Sequence, residues 1–179
     1  QEIEQKLLDS LGGEKVLWLP RGIYNDETDE HVDNVAAFVK PGEIVLSWTE
    51  DQGDPQYPLC QENWEYLQTA RDAKGRKLKV HKLPLPKPVT VSEEECRGLD
   101  CVDGKPARTV GERLAASYAN FYLSNKHVIM PAFDDPMDRV AANILADCFP
   151  ERTVIQIPTR EILLGGGNIH CLTQQIPEL

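Results

Sequence analysis

The sequence predicts an α/β fold assembled from ββαβ repeats, and three observations carry that prediction. The order strand, strand, helix, strand is legible twice along the chain. Each run opens on an asparagine, and each helix follows an Asp-Pro pair (54–55 and 135–136). The second helix shows Met137, Val140, Ala141, Ile144, Leu145 and Cys148 at three- and four-residue steps, the stripe of an amphipathic helix.

Taken in chain order, EIEQKLLDSL (2–11) places Ile3, Leu7, Leu8 and Leu11 on one side and stops at Gly12-Gly13, which reads as a helix. KVLWLP (15–20) reads as a strand. An acidic loop, YNDETDEHVDN (24–34), leads into NVAAFVKPGEIVLSW (34–48), two strands about the turn Lys40-Pro41-Gly42-Glu43. CQENWEYLQTARDA (60–73) is a helix and KLKVHKLPL (77–85) a strand by alternation. The second run comprises NFYLSNKHVIMP (120–131), MDRVAANILADCF (137–149) and TVIQIP (153–158). IHCLT (169–173) reads as the first strand of a further unit. The chain thus divides into the close of an earlier unit plus a histidine loop (1–33), a repeat (34–85), an insertion (86–116), a second repeat (117–158) and a glycine-rich closing segment (159–179). We therefore expect a piece of a larger repeat protein; one self-contained α/β domain with unrelated ends is the alternative. The insertion is proline- and charge-rich at its start, and its role stays open between lid and simple insertion.

Composition narrows the function. The 179 residues are 41 % apolar, enough for one well-packed domain, and no run approaches the ~20 apolar residues of a membrane span. No basic, hydrophobic leader is present, so a cytoplasmic protein without membrane contact is expected. Nineteen basic against 29 acidic residues give a net charge of −10, with no basic block to meet phosphates. Nucleic-acid binding is thereby disfavoured, and cationic ligands are mildly favoured. Five cysteines (Cys60, Cys96, Cys101, Cys148, Cys171) include no CxxC pair, so neither a metal site nor a disulfide framework is expected. Cys60 and Cys148 fit a core; Cys96 and Cys101 fall in a charged loop, where exposed thiols are the default.

Cys171 has suggestive neighbours. Gly165, Gly166 and Gly167 stand just before Asn168-Ile169-His170-Cys171. Glycines at this density belong where the backbone takes unusual dihedrals or approaches another group closely. In the acidic loop, five carboxylates surround His31. His31 and Asp33 are two apart at the start of a strand, which would put them on one face. His31 and Cys171 occupy equivalent junctions two units apart, so units arranged about a common axis would bring Cys171, His31 and Asp33 together. A thiol activated by an imidazole is a nucleophile, and a carboxylate pairs naturally with a guanidinium. His31 reads equally as a solvated loop histidine, and Asp33 as a helix or turn cap. His170 competes with His31, but on a strand it would face away from its neighbour Cys171.

The stretches WLPRGIYNDETDEHVDN (18–34), LSWTEDQGDPQY (46–57), LAASYANFYLSN (114–125) and REILLGGGNIHCLTQQ (160–175) resemble the agmatine deiminases (agmatine iminohydrolases) of the porphyromonas-type peptidyl-arginine deiminase family. The resemblance covers nearly the whole chain and corresponds to the family's C-terminal half. It implies a pentein fold, a five-bladed α/β propeller of ββαβ units around a central pocket, with about half of the blades here. It implies Cys171 as nucleophile, His31 as general acid/base and Asp33 as the guanidinium-binding carboxylate. Gly167 would bring backbone close to the substrate pocket and Asn168 would help fix that turn. The implied reaction converts agmatine and water to N-carbamoylputrescine and ammonia through a thiouronium on Cys171, on a route to putrescine, with no metal or organic cofactor. Two departures stand out. Glu30 occupies a position where a small residue such as glycine is expected. Two further carboxylates of the family's site come from an N-terminal half that this sequence does not contain, and Asp26, Glu27 and Asp29 are not assigned to those roles. The expected partner is thus a small cationic substrate, with the N-terminal half needed for a complete site and a homo-oligomer left open. Deimination of arginine or peptidyl-arginine, a Cys-His-Asp amide hydrolase, and a non-catalytic assembly fragment are the rival readings.

Overall fold

The computed structural model describes residues 2–26, 30–102 and 105–176, without side chains at 101, 102, 105 and 106. Helix α1 (Glu2–Leu11) contributes no buried residue; with β1 (Ala36–Lys40) it walls an apolar concavity of about 830 Å³. β1 pairs antiparallel with β2 (Glu43–Trp48), the chain crosses through α2 (Gln56–Thr69), and β3 (Lys79–Pro84) pairs parallel with β2. The next segment holds the short helix α3 (Glu93–Gly98) and the strand pair β4 (Cys101–Val102) and β5 (Lys105–Pro106). The strand-strand-helix-strand order then recurs as β6 (Tyr122–Leu123), β7 (His127–Ala132), α4 (Pro136–Cys148) and β8 (Thr153–Pro158), again antiparallel and then parallel. Helix α5 (Arg160–Leu164) closes the sequence of regular elements. The fold is α/β with two mixed three-stranded sheets. Among the described residues, no helix is long and apolar enough to cross a membrane.

Alternation along β2 explains how the units are joined. Val45 faces a core shared with α4, containing Leu83, Val128, Met130, Ala141, Leu145 and Phe149. Ile44, Leu46 and Trp48 face the opposite core, against Cys60 and Leu67 of α2. The helix of the second unit therefore packs on the sheet of the first. A capping box fixes the start of α4: Asp135 accepts from the Met137 N–H at 2.8 Å, and Asp138 reaches back to the Asp135 N–H at 3.3 Å. Its buried stripe is Ala141, Ala142, Leu145 and Cys148, so Ala142 replaces the predicted Val140, which is 40 % exposed.

Residues 15–20 are not a strand. Lys15 Nζ donates to the Arg71 carbonyl, and the Trp18 N–H donates to the Tyr66 hydroxyl at 3.1 Å. Asn63 then accepts from the Arg21 N–H and donates to its carbonyl, and Gln56 Oε1 accepts from the Tyr24 N–H. Polar side chains of α2 thus tie down residues 18–24: Tyr66 takes the Trp18 amide, and the wholly buried Asn63 and Gln56 hold the Arg21 and Tyr24 amides just beyond it.

The 86–116 segment folds onto α5. Val91, Leu114 and Ala116 pack around Leu163. The buried Arg108 donates to the Leu164 carbonyl at 3.1 Å, and Arg160 forms an ion pair with Glu95. Arg160, helped by the Ser92 N–H, holds the Glu95 carboxyl down at about 2. Cys96 is half-buried on α3, with its thiol toward the Arg108 carbonyl, rather than an exposed loop thiol. Cys101 lies outside the described side chains.

Candidate active site

The insertion buttresses the helix that presents Cys171. After α5 the chain passes Gly165 and takes positive φ at Gly166 (+88°) and Gly167 (+81°), conformations that favour glycine. These two residues turn the backbone back on itself, and residues His170–Leu172 form a 3₁₀ turn. IHCLT is therefore not a strand: the double left-handed turn delivers it as a tight helical turn. A Cβ added at Gly167 would lie 2.8 Å from Cys171 Sγ, so the close backbone approach expected of the glycine run is made to the thiol itself.

Asp33 comes to the same place from the first unit. Residues Val32–Asn34 also form a 3₁₀ turn, with His31 at its N-cap, so the strand geometry predicted for His31 and Asp33 does not hold. Cys171 Sγ donates to Asp33 Oδ2 at 3.2 Å, and His170 Nδ1 meets the same oxygen at 2.8 Å. Asp33 Oδ1 is buried and has no hydrogen-bond partner among the described residues. Cys171 and His170 do not face away from each other, because a 3₁₀ turn carries three residues per turn and does not alternate. His31 is exposed and makes no side-chain hydrogen bond or ion pair among the described residues.

A donor also faces the sulfur: Asn120 Nδ2 lies 3.1 Å from Cys171 Sγ. Burial pushes the Cys171 thiol up; the Asn168 and Asn120 donors oppose that, while the Asp33 carboxylate adds to it, and the balance is upward. Asn168 is wholly buried, with Oδ1 on the Ile169 N–H at 2.9 Å and Nδ2 unpartnered, which fits a residue that fixes the turn. Asn120 and the His170–Asp33 pair were not legible as site residues. Asn120 carried one signal, its recurrence with Asn34 at the start of each unit.

Glu30, the unexpected residue before His31, has φ +63°, and its Cβ would lie 2.3 Å from a Cβ added at Gly22. Its backbone conformation is thus one that glycine adopts without strain.

Gly167→Ala is expected to lower kcat by about 10²-fold, the cost of displacing a nucleophile by roughly an ångström. The left-handed φ adds roughly 1–2 kcal/mol of destabilisation. Steady-state kinetics beside thermal melts check this; an alanine variant with unchanged kcat would show that the thiol does not need the approach.

The sequence model of Porphyromonas-type peptidyl-arginine deiminase matches residues 1–177. The chain is 55 % identical over 177 residues to an agmatine deiminase of Pseudomonas fluorescens, covering 99 % of this chain and 48 % of that protein. It is 54 % identical over 177 residues to an agmatine deiminase of Ectopseudomonas mendocina, with the same coverage of 99 % and 48 %. Among solved structures it is similar to the agmatine deiminase of Enterococcus faecalis, with a TM-score of 0.92 and 46 % identity over 98 % of this chain and 48 % of that one. The chain spans about half the length of the curated relatives it matches.

Proposed function

The chain belongs to the Porphyromonas-type peptidyl-arginine deiminase family, and we propose from that premise that the protein hydrolyses agmatine to N-carbamoylputrescine and ammonia by covalent catalysis on Cys171. One observation carries the reading: the Cys171 thiol and a carboxylate from another unit meet, and that carboxylate keeps a second, buried oxygen without a donor. A buried acceptor of this kind calls for a partner, and a guanidinium supplies N–H groups in matching geometry. The substrate choice rests on the agmatine deiminases that the chain matches.

On this reading the guanidinium sits on Asp33, and its charge offsets the carboxylate that holds the thiol protonated. His31, exposed at the N-cap of the turn that carries Asp33, takes the thiol proton. Sγ attacks the central guanidinium carbon, forming a C–S bond and a tetrahedral adduct. Collapse breaks one C–N bond as His31 protonates the leaving nitrogen, which departs as ammonia and leaves a thiouronium. His31 then deprotonates a water that attacks the same carbon; the C–S bond breaks, the urea product leaves, and the thiol regains its proton. The two repeats are blades of a pentein propeller, and the remaining carboxylates come from the part of the relatives' length that this chain does not span. On this reading the product, a carbamoylated diamine, would feed putrescine synthesis.

Ammonia release from agmatine, free arginine and a blocked arginine peptide tests the substrate. Agmatine should be preferred by about 10²-fold or more, because a site that pairs one end group leaves its own groups unpaired with the others. Faster release from arginine or the peptide would replace the substrate and keep the chemistry.

A further inference from the structure

Three asparagines hold equivalent places: Asn34 opens the first repeat, Asn120 the second, and Asn168 leads into the 3₁₀ turn of Cys171. All three are wholly buried. Asn120 stands between the other two. Its Oδ1 accepts from the His170 N–H at 2.8 Å, and its Nδ2 donates to Asn34 Oδ1 at 2.8 Å and faces Cys171 Sγ at 3.1 Å. Asn34 Nδ2 in turn donates to Asp26 Oδ2 at 3.0 Å.

This chain of amides has one consistent direction. A main-chain N–H can only donate, so the atom of Asn120 facing His170 must be the carbonyl oxygen. Its NH₂ group therefore faces Asn34 and the sulfur. At the other end, a carboxylate of Asp26 can only accept from a side-chain amide, so Asn34 turns its own oxygen toward Asn120. Neither amide can flip without losing a buried hydrogen bond, which costs more than the bond is worth when made. The N–H aimed at Cys171 is consequently held before any substrate arrives.

We infer that Asn120 is a positioning residue for the nucleophile: its fixed amide holds the sulfur at the junction of three units and favours the thiolate over the thiol. This rests on the reading of Cys171 as the nucleophile and adds the group that prepares it. Asp33 Oδ2 is the acceptor that favours the thiol, while the Asn120 and Asn168 N–H groups favour the thiolate. The state of the sulfur is set by this contest, and Asn120 is the member whose removal leaves the carboxylate and the main chain in place. The other charged or titratable groups facing the sulfur's surroundings are His170, paired to Asp33, and Asp26, tied to Asn34.

The test is the pH dependence of Cys171 carbamidomethylation by iodoacetamide in the native protein, read peptide by peptide by mass spectrometry. Peptide assignment separates Cys171 from the buried Cys60 and Cys148 and the half-buried Cys96. Asn120→Ala is expected to cut the alkylation rate at mildly alkaline pH roughly tenfold, as expected for losing a hydrogen bond to a charged group. Asn120→Asp keeps the shape and the acceptor for His170, replaces the donor with a negative charge, and should cut the rate further. Asn34→Ala breaks the amide chain one step away and serves as the structural control; it should lower the melting temperature and leave the titration near that of the parent. An unshifted titration in a folded Asn120 variant overturns the proposal, as does an equal shift in Asn34→Ala. Alkylation needs no substrate, so such a result would leave the deiminase reading standing.

Discussion

Replacing Cys171 with alanine is expected to abolish the proposed turnover of agmatine in the native protein, with a loss in kcat of at least about 10⁴-fold if Cys171 is the nucleophile. The reason is the division of labour at the site. On the proposed reading Asp33 should bind in the variant as before, since its pairing with His170 is untouched. Substrate affinity should therefore change little while the covalent step disappears. The fold is also spared, because Cys171 lies outside the three clusters of buried residues that form the core. Quenched turnover of the parent should show a mass increment on the Cys171 peptide that the alanine variant lacks. Retained turnover, or an increment on another residue, would sink the mechanism. A pH profile adds a second reading of the same step. Burial and Asp33 raise the thiol, so kcat/KM should climb with pH through a value above the ordinary cysteine range. A guanidinium on Asp33 removes one cause of that rise, so the climb in kcat should sit at lower pH. Coincident profiles would show that the bound substrate does not help to free the thiol.

The two ββαβ runs were legible because each opens on an antiparallel pair and carries buried apolar residues in its second strand and its helix, conditions under which apolar spacing reports structure directly. KVLWLP has the same spacing and is not a strand. Nothing in its own residues says that Tyr66, forty-eight positions away, will take its Trp18 amide, or that Asn63 will hold the Arg21 that follows it. The meeting of Cys171 with Asp33 followed from counting units, since equivalent junctions converge when units share an axis. The local geometry at both ends did not follow. Period-two reasoning set His170 against Cys171 and aligned His31 with Asp33, whereas both pairs lie in or beside 3₁₀ turns. The turn at His170 is dictated by two successive left-handed glycines, a signal that was present in the sequence but points to a reversal rather than to its outcome. Asn120 was the hardest to see. Its neighbours His170 and Cys171 are fifty and fifty-one positions away, and an asparagine at the start of a strand ordinarily signals only a turn.

The two histidines separate by substitution. His31→Gln should lower kcat by about 10²–10⁴-fold, the range for a lost general acid/base, and flatten the limb of the pH profile that it controls. His170→Gln should act differently. Its ring meets Asp33 Oδ2 at 2.8 Å, so a glutamine there should loosen the carboxylate proposed to receive the guanidinium and raise KM more than it lowers kcat. The contrast is physical: His31 has no side-chain partner among the described residues, which leaves its imidazole available for the proton transfers proposed for it. His170 is committed to Asp33, and using its proton in the reaction would break the pair that positions the substrate. If His170→Gln gives the larger fall in kcat and the flattened limb, the roles are reversed. The imidazole beside the nucleophile would then be the proton carrier, and the H-x-D turn of His31 and Asp33 would contribute its carboxylate alone.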